Sequence, residues 1–364
     1  MTDACSSMHI IGSRQFGGAD QFYVRLLQAL AESGQTVTAV NRAGSPVSQA
    51  LEELAIQQFH LPLANGWDLW SVWKLRQLIS AKRPDIVQTY MGRATRLTRL
   101  PHRSPAIHIA RLGGFYKIDG YYRHAHAWIG NTKSLCDYLV KSGLPSERVY
   151  QIGNFVPDAQ TVSADELGAL RHEWQIAENA WVVFALGRLL KMKGFDDLLE
   201  ALARLPSSVA GRPLVLMIAG DGPELDALKT LTRQLGLDSK VRWLGWQNPP
   251  DRFYALADVF VCPSRLETLG NVILEAWNYR LPVISTRSEG GSELIDNRHS
   301  GLLCECDDPQ GLADLLLELL SANEADRAAL GEAGHRELQL KHGKASVVKA
   351  YTSLYRQLMD TRPA

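Results

Sequence analysis

Net charge is the first thing this sequence lacks: 39 Lys/Arg are matched by 39 Asp/Glu over 364 residues. A dedicated nucleic-acid binder needs a basic excess to neutralise phosphates, so that class is set aside. No run of roughly 18 apolar residues occurs, which excludes a membrane-spanning helix at the level of sequence. The opening MTDACSSMHIIGSRQFGG lacks the basic flank, apolar stretch and small-residue cleavage site of a secretory signal, and the expectation is a cytoplasmic protein. Cysteine is scarce and odd in number: Cys5, Cys136, Cys262, Cys304 and Cys306 read as thiols in a reducing compartment rather than as a disulfide framework. Cys304-x-Cys306 lacks the spacer and the second pair of a zinc site. Asp-x-Asp and Gly-x-Gly-x-x-Gly are also missing, so neither a paired-carboxylate metal device nor the dinucleotide fingerprint is present. No metal and no cofactor are expected.

What is there points to two cores, because a single core stops growing near roughly 250 to 300 residues. The two halves differ in charge: 17 Lys/Arg against 10 Asp/Glu up to residue 155, and 22 against 29 beyond it. Short β-branched runs alternate with amphipathic stretches: TVTAV (36–40), DIVQTY (85–90), AWIGN (127–131), WVVFALG (181–187), LVLMIAG (214–220), VRWLG (241–245), VFVCPS (259–264) and PVIST (282–286). Strand and helix in alternation predict an α/β protein with parallel sheets covered on both faces. The pattern restarts after NFVPDAQTVSADEL, which predicts two doubly wound, Rossmann-like domains, 1–155 and 156–341, facing a central cleft. A helix at 342–364 is expected to be able to cross back to the first domain. Trp67, Trp70 and Trp73 fall at helical spacing and are read as core packing. Ligands of such sheets lie beyond the carboxyl ends of the strands, so the strand-to-helix loops are the places to look.

Three loops carry candidate chemistry. In FGGADQF, Gly17 and Gly18 precede a helix whose amides can approach an anion. In ALGRLLKMKGF, the chain turns at Gly187 and presents Arg188 and Lys193, two cations suited to a diphosphate. In CPSRLETLGNVILEAW, Glu267 and Glu275 stand eight positions apart. Glu267 is expected in the loop and Glu275 two turns along the next helix, with Leu269, Gly270 and Asn271 forming the helix N-terminus.

In this order the loops resemble those of retaining glycosyltransferases of family 4, which have the two-domain GT-B fold. The resemblance runs nearly the whole length, through GGADQF, VYQIGNFVPD, GRLLKMKGF, IAGDGPELDAL, ALADVFVCPSRLETLGNVILEAW, LPVIST and GLLCECDDPQGLADLL. It implies a sugar-nucleotide donor, UDP- or GDP-linked and a substrate rather than a cofactor, bound mainly by the second domain. The acceptor is then bound mainly by the first. Arg188 and Lys193 would hold the diphosphate, Glu267 would sit beside the transferring sugar, and the Leu269 and Gly270 amides would meet phosphate or sugar oxygens. Glu275 would accept from the ribose hydroxyls, Gly17 and Gly18 would approach the diphosphate, and the base would lie near Trp246 and Gln247. Transfer would be metal-independent.

This chain also departs from the family. Thr268 and Leu269 follow Glu267 where many members carry Gly-Phe, and Asp85 to Tyr90 reads DIVQTY where Asp-φ-φ-His-x-His is common. No catalytic His is assigned. Tyr90 and Arg111 are the acceptor-side candidates, and His124 and His126 are read as structural. A sugar-nucleotide 2-epimerase and a non-catalytic sugar-nucleotide-binding subunit are the competing readings. The basic stretch Arg93, Arg96, Arg99 and Arg103, with Leu97, Leu100, Phe115, Tyr121 and Tyr122, leads to a further expectation. It is a lipid-linked or glycan acceptor of bacterial envelope or lipopolysaccharide synthesis, with peripheral contact to the anionic inner face of the membrane.

Overall fold

The structure, a computed structural model, describes residues 5–361. The chain divides into two compact units, one of Met1–Phe155 with Gly343–Ala364 and one of Val156–His342. The first is built on seven parallel strands: β1 (Ser6–Ile11), β2 (Thr36–Asn41), β3 (Gln57–His60), β4 (Ile86–Tyr90), β5 (Ile107–Leu112), β6 (Ala127–Gly130) and β7 (Val149–Gln151). Their order is β3-β2-β1-β4-β5-β6-β7. The second unit holds β8 (Trp181–Leu186), β9 (Ser208–Val209), β10 (Arg212–Ala219), β11 (Val241–Gly245), β12 (Val259–Cys262), β13 (Val283–Thr286) and β14 (Leu302–Cys304). Its order is β11-β10-β8-β12-β13-β14, with β9 antiparallel to β10. Both are doubly wound Rossmann-like units.

The apolar runs are continuous in the central strands, such as β8 and β12, because these are buried on both faces. Along β8, Val183 and Ala185 enter one core with Leu198, Leu202 and Leu316, while Val182 and Phe184 enter another with Phe253, Phe260 and Trp277. One strand thus feeds two cores by the twofold alternation of its side chains.

Two expectations fail in the first unit. The tryptophan stripe is outside: Trp67 is 77% exposed, Trp70 50% and Trp73 52%. The helix Leu69–Lys82, capped by Asp68 through the Ser71 N–H, buries Ser71, Leu75 and Ile79 instead, because Leu75 and Ile79 pack with Leu61, Leu63 and Val87 in the core. The basic stretch expected to meet a membrane surface does not lie on one helix either. Its helix, Met91–Leu97, ends before Arg99 and Arg103, and Arg93 turns inward to donate to the Gly12 carbonyl at 3.1 Å. Leu97 and Tyr122 are core residues.

The last helix, Lys344–Asp360, belongs to the first unit and buries Val347, Tyr351, Leu354 and Tyr355 among Phe22, Tyr23 and Phe155. Tyr351 Oη accepts from Arg111 Nε at 2.9 Å, and Tyr355 Oη donates to Gln88 at 2.8 Å.

Candidate active site

In the second unit the strand order reverses between β8 and β12, so the loops that follow them leave the sheet in opposite directions and open a crevice. Sequence reasoning placed Arg188, Lys193 and Glu267 on these two loops. The structure joins the loops at backbone level. Gly194, with φ of 65°, packs so closely that a Cβ there would stand 2.0 Å from the Pro263 carbonyl oxygen. At Gly220 a Cβ would lie 1.9 Å from the Gly187 carbonyl oxygen, so the loop after β10 closes on the same turn. Glycine is required at both positions.

This junction brings Lys193 and Glu267 into an ion pair, with side chains only 22% and 17% exposed. Ser264 Oγ donates to the same Glu267 oxygen at 3.4 Å, and the Gly290 N–H donates to the Glu267 carbonyl at 2.6 Å. Arg188 is exposed on the same loop as Lys193. Arg265, not among the residues expected from sequence, joins the site. Its guanidinium pairs with Asp196 at 2.7 Å and Asp197 at 2.6 Å, and also with Asp307, so it ties the β12 loop to the helix that follows Lys193. Its position two residues before Glu267 was the available signal.

The helix Asn271–Asn278 begins at Gly270, whose φ is 86° and whose lack of a side chain leaves the first turn without a side-chain cap. Leu269 is buried beneath it. Glu275 stands one turn into this helix, not two, because the helix starts only at Asn271. Tyr254 Oη, buried and stacked on Tyr279, donates to Glu275 at 3.0 Å and orients the carboxylate. Burial, then the charge of Glu275, pushes the Tyr254 phenol well above its ordinary range, so it remains a donor. Beyond β11, Trp246 is 62% exposed and Gln247 donates to the Leu244 carbonyl at 2.6 Å.

The first-unit candidates stand differently. Gly17 caps the helix Gly18–Glu32, but its N–H already donates to Asp20 at 3.0 Å, so that amide is not offered to a diphosphate. Asp20 is buried, which raises its carboxyl pKa. Gly18 is the first residue of the helix. Tyr90 is not on an acceptor surface. Its Oη accepts from Gln88 at 2.7 Å and pairs with His9 at 2.9 Å inside the core, where burial lowers the His9 pKa to about 3. Arg111 is buried over the ring of Phe22 and bonded to Tyr351 and Asn154, so its donors hold the last helix. Both residues are spent on packing.

Among the described residues no cluster of three His, Cys, Asp or Glu is arranged to hold a metal, and no helix is long and apolar enough to cross a membrane.

The sequence pattern described as Glycosyl transferases group 1 matches residues 168–337, and that of Glycosyltransferase Family 4 matches residues 16–160. The chain is 33% identical to the lipopolysaccharide core biosynthesis glycosyltransferase LpsE of Rhizobium meliloti, over 95% of this chain and 97% of that one. Among solved structures, a glycosyltransferase from Rickettsia africae superimposes with a TM-score of 0.86 at 18% identity, covering 99% of this chain and 100% of that one. HepE of Anabaena, crystallised with UDP-glucose, does so with a TM-score of 0.82 at 19% identity, over 96% and 99%. These structural likenesses show the fold, which is GT-B.

Proposed function

Because the chain belongs to the family 4, or group 1, glycosyltransferases, we propose that it moves a sugar with retention from a nucleoside-diphosphate donor to an acceptor of lipopolysaccharide core synthesis. The name of its Rhizobium relative and the UDP-glucose bound by HepE support the pathway and the donor class. The observation that carries the reading is the junction of the β8 and β12 loops, which sets Lys193 against Glu267 at the reversal point of the second sheet.

Departure of a nucleoside diphosphate develops negative charge. Arg188 and Lys193 stabilise it, and preorganised donors in a dry site are worth far more than in water. Glu267, held by Lys193 and Ser264, lies beside the sugar. Glu275, oriented by Tyr254, accepts from the ribose. The Leu269 and Gly270 amides meet phosphate or sugar oxygens, Asn271 opens the helix behind them, Gly187 gives the donor room, and Trp246 with Gln247 borders the base. The acceptor hydroxyl attacks the face the nucleotide leaves, and a phosphate oxygen takes its proton. The test is nucleotide release from UDP- and GDP-sugars with a lipopolysaccharide core acceptor, followed by NMR of the product anomer. An inverted anomer, or no acceptor-dependent release with any donor, overturns the proposal.

The same chemistry is metal-independent in this reading, with the two cations taking the place of a metal. EDTA is expected to leave turnover unchanged, and a requirement for Mn²⁺ or Mg²⁺ in the chemical step counts against it.

Contact with an anionic membrane surface is part of the proposal, and the exposed tryptophans carry it. Trp67, Leu69, Trp70 and Trp73 are exposed together. Lys74 lies 4.8 Å from the centre of the Trp73 ring and Arg96 4.0 Å from that of Trp67, a pairing of amphipathic rings with cations that suits a headgroup layer. Trp70→Ser with Trp73→Ser should weaken sedimentation with anionic vesicles about tenfold, and salt should weaken the wild type similarly. Unchanged binding by the double variant removes this surface without touching the transferase assignment.

A further inference from the structure

A cavity of about 400 Å³ in the first unit is lined by Arg76, Arg99, Arg103, His108, His124 and His126. It lies at the amino ends of the strands: Arg99 and Arg103 are on the segment entering β5, His108 is the second residue of β5, and His124 and His126 immediately precede β6. It is thus at the end of the sheet opposite the loops that follow β1 and β4. Among the described residues no ion pair joins any of the three arginines to a carboxylate. Arg76 Nε donates to the Arg99 carbonyl at 3.2 Å, which anchors Arg76 on the segment that carries Arg99.

The histidines are fixed by their partners. His124 Nε2 faces the carbonyls of Thr95 at 2.9 Å and Thr98 at 3.0 Å, so it carries the hydrogen and Nδ1 is the acceptor. His126 Nδ1 accepts from the His108 N–H at 3.2 Å, so Nε2–H is its donor. A hydroxyl chain sets His108. Thr95 Oγ1 donates to the Met91 carbonyl, Thr89 Oγ1 donates to Thr95 or to the Ile109 carbonyl, and His108 Nε2–H donates to Thr89 at 3.0 Å. His108 Nδ1 remains, 1% exposed as a residue and without a partner. An orphaned buried acceptor is costly unless a ligand or a proton completes it.

We propose that this cavity is a binding site for a tetrahedral phosphate group, borne by a small molecule or a lipid headgroup, which Arg76, Arg99 and Arg103 hold and beside which His108 lies. Three unpaired guanidinium groups in a concave site are suited to a phosphate. His108, whose Nδ1 is closed off from the cavity space, acts on the ligand through the charge it gains when that nitrogen takes a proton. Arg76 also lines an adjoining depression with Trp73, so the cavity borders the exposed tryptophan surface. The proposal does not rest on the transferase reading.

Protonation couples to occupancy. Burial, then His124, His126 and Arg99, hold His108 well below the ordinary histidine range. His124 is lowered by burial and Arg99, and His126 by burial and Arg148. No carboxylate lines the cavity. An anion offsets the cations, so histidine protonation and anion binding favour one another, and affinity rises as pH falls.

Sulfate, which does not titrate in this range, is the first probe. Calorimetry and the histidine C2–H resonances of the full chain should show saturable binding that is about tenfold tighter near pH 6 than near pH 7.5. Arg99→Ser with Arg103→Ser should weaken it at least about tenfold, while Trp70→Ser should leave it unchanged. His108→Gln should flatten the pH dependence; if that variant does not fold, the arginine pair still decides. No histidine response to sulfate, or equal affinity in the arginine variant, overturns the site. Inorganic phosphate, glycerol phosphate and phosphatidylcholine vesicles with or without phosphatidic acid then identify the source. Phosphatidic-acid-dependent sedimentation lost in the arginine variant assigns a headgroup. Glycerol phosphate binding lost in that variant, with vesicle binding unaffected, assigns a free phosphate compound.

Discussion

Lys193→Ala or Arg188→Ala is expected to lower transfer at least about a hundredfold with the fold intact. Loss of one preorganised donor to developing charge costs roughly 2.7 to 4 kcal/mol in comparable sites. Arg188 is exposed, so its removal disturbs little packing. Removing Lys193 leaves Glu267 with Ser264 and partial solvent contact. The loss should therefore appear in kcat more than in thermal stability, and Lys193→Arg should recover part of it. Activity within about threefold of wild type, with an unchanged circular dichroism spectrum, would remove both residues from the diphosphate.

The second large effect is on stability. Gly194→Ala forces a side chain into backbone of positive φ and against the Pro263 carbonyl, and Gly220→Ala, at a φ of 143°, does the same against the Gly187 carbonyl. Neither obstacle is the end of a flexible side chain, so the strand-to-helix loops must separate. Each substitution should cost about 3 kcal/mol or more and lower Tm by roughly 6 to 12 °C. Gly168→Ala, in the helix Ala164–Glu173 with open space around it, is the control and should be neutral or slightly stabilising. A Tm within about 2 °C of wild type for either loop variant would show that the loops are not joined as described.

The fold was legible where apolar runs are unbroken. β8, β10, β11, β12 and β13 were all placed from their β-branched stretches, since buried parallel strands need no polar face. β5 was not, because IHIARL carries a histidine and an arginine in its core positions. Their partners are remote: Arg111 bonds to Tyr351, 240 residues away. β3 and β7 are short edge strands whose polar residues carry little pattern. The second-unit site was legible because each candidate sits on a strand-to-helix loop. Missing were the groups that hold it, Tyr254 and Arg265, whose roles depend on contacts with residues remote in sequence. The tryptophan stripe was misread for a simpler reason: helical spacing shows that side chains share a face, and only the competing face of Leu75 and Ile79, packed with Leu61 and Leu63, decides which one is inside.

The last helix closes the core of the first unit with Tyr351 and Tyr355. During synthesis, all of Val156–His342 must leave the ribosome before that helix exists, which takes roughly 10 to 40 s at ordinary elongation rates. For that interval Phe22, Phe155 and the Arg111 guanidinium have no covering helix, whereas the second unit is contiguous and complete in sequence as soon as it emerges. The nascent chain therefore finishes its middle before its beginning, and a stop codon near residue 343 strikes the amino-terminal unit. Such a truncated chain should show fast hydrogen exchange in β1, β4 and β5 while β8 and β10 stay protected.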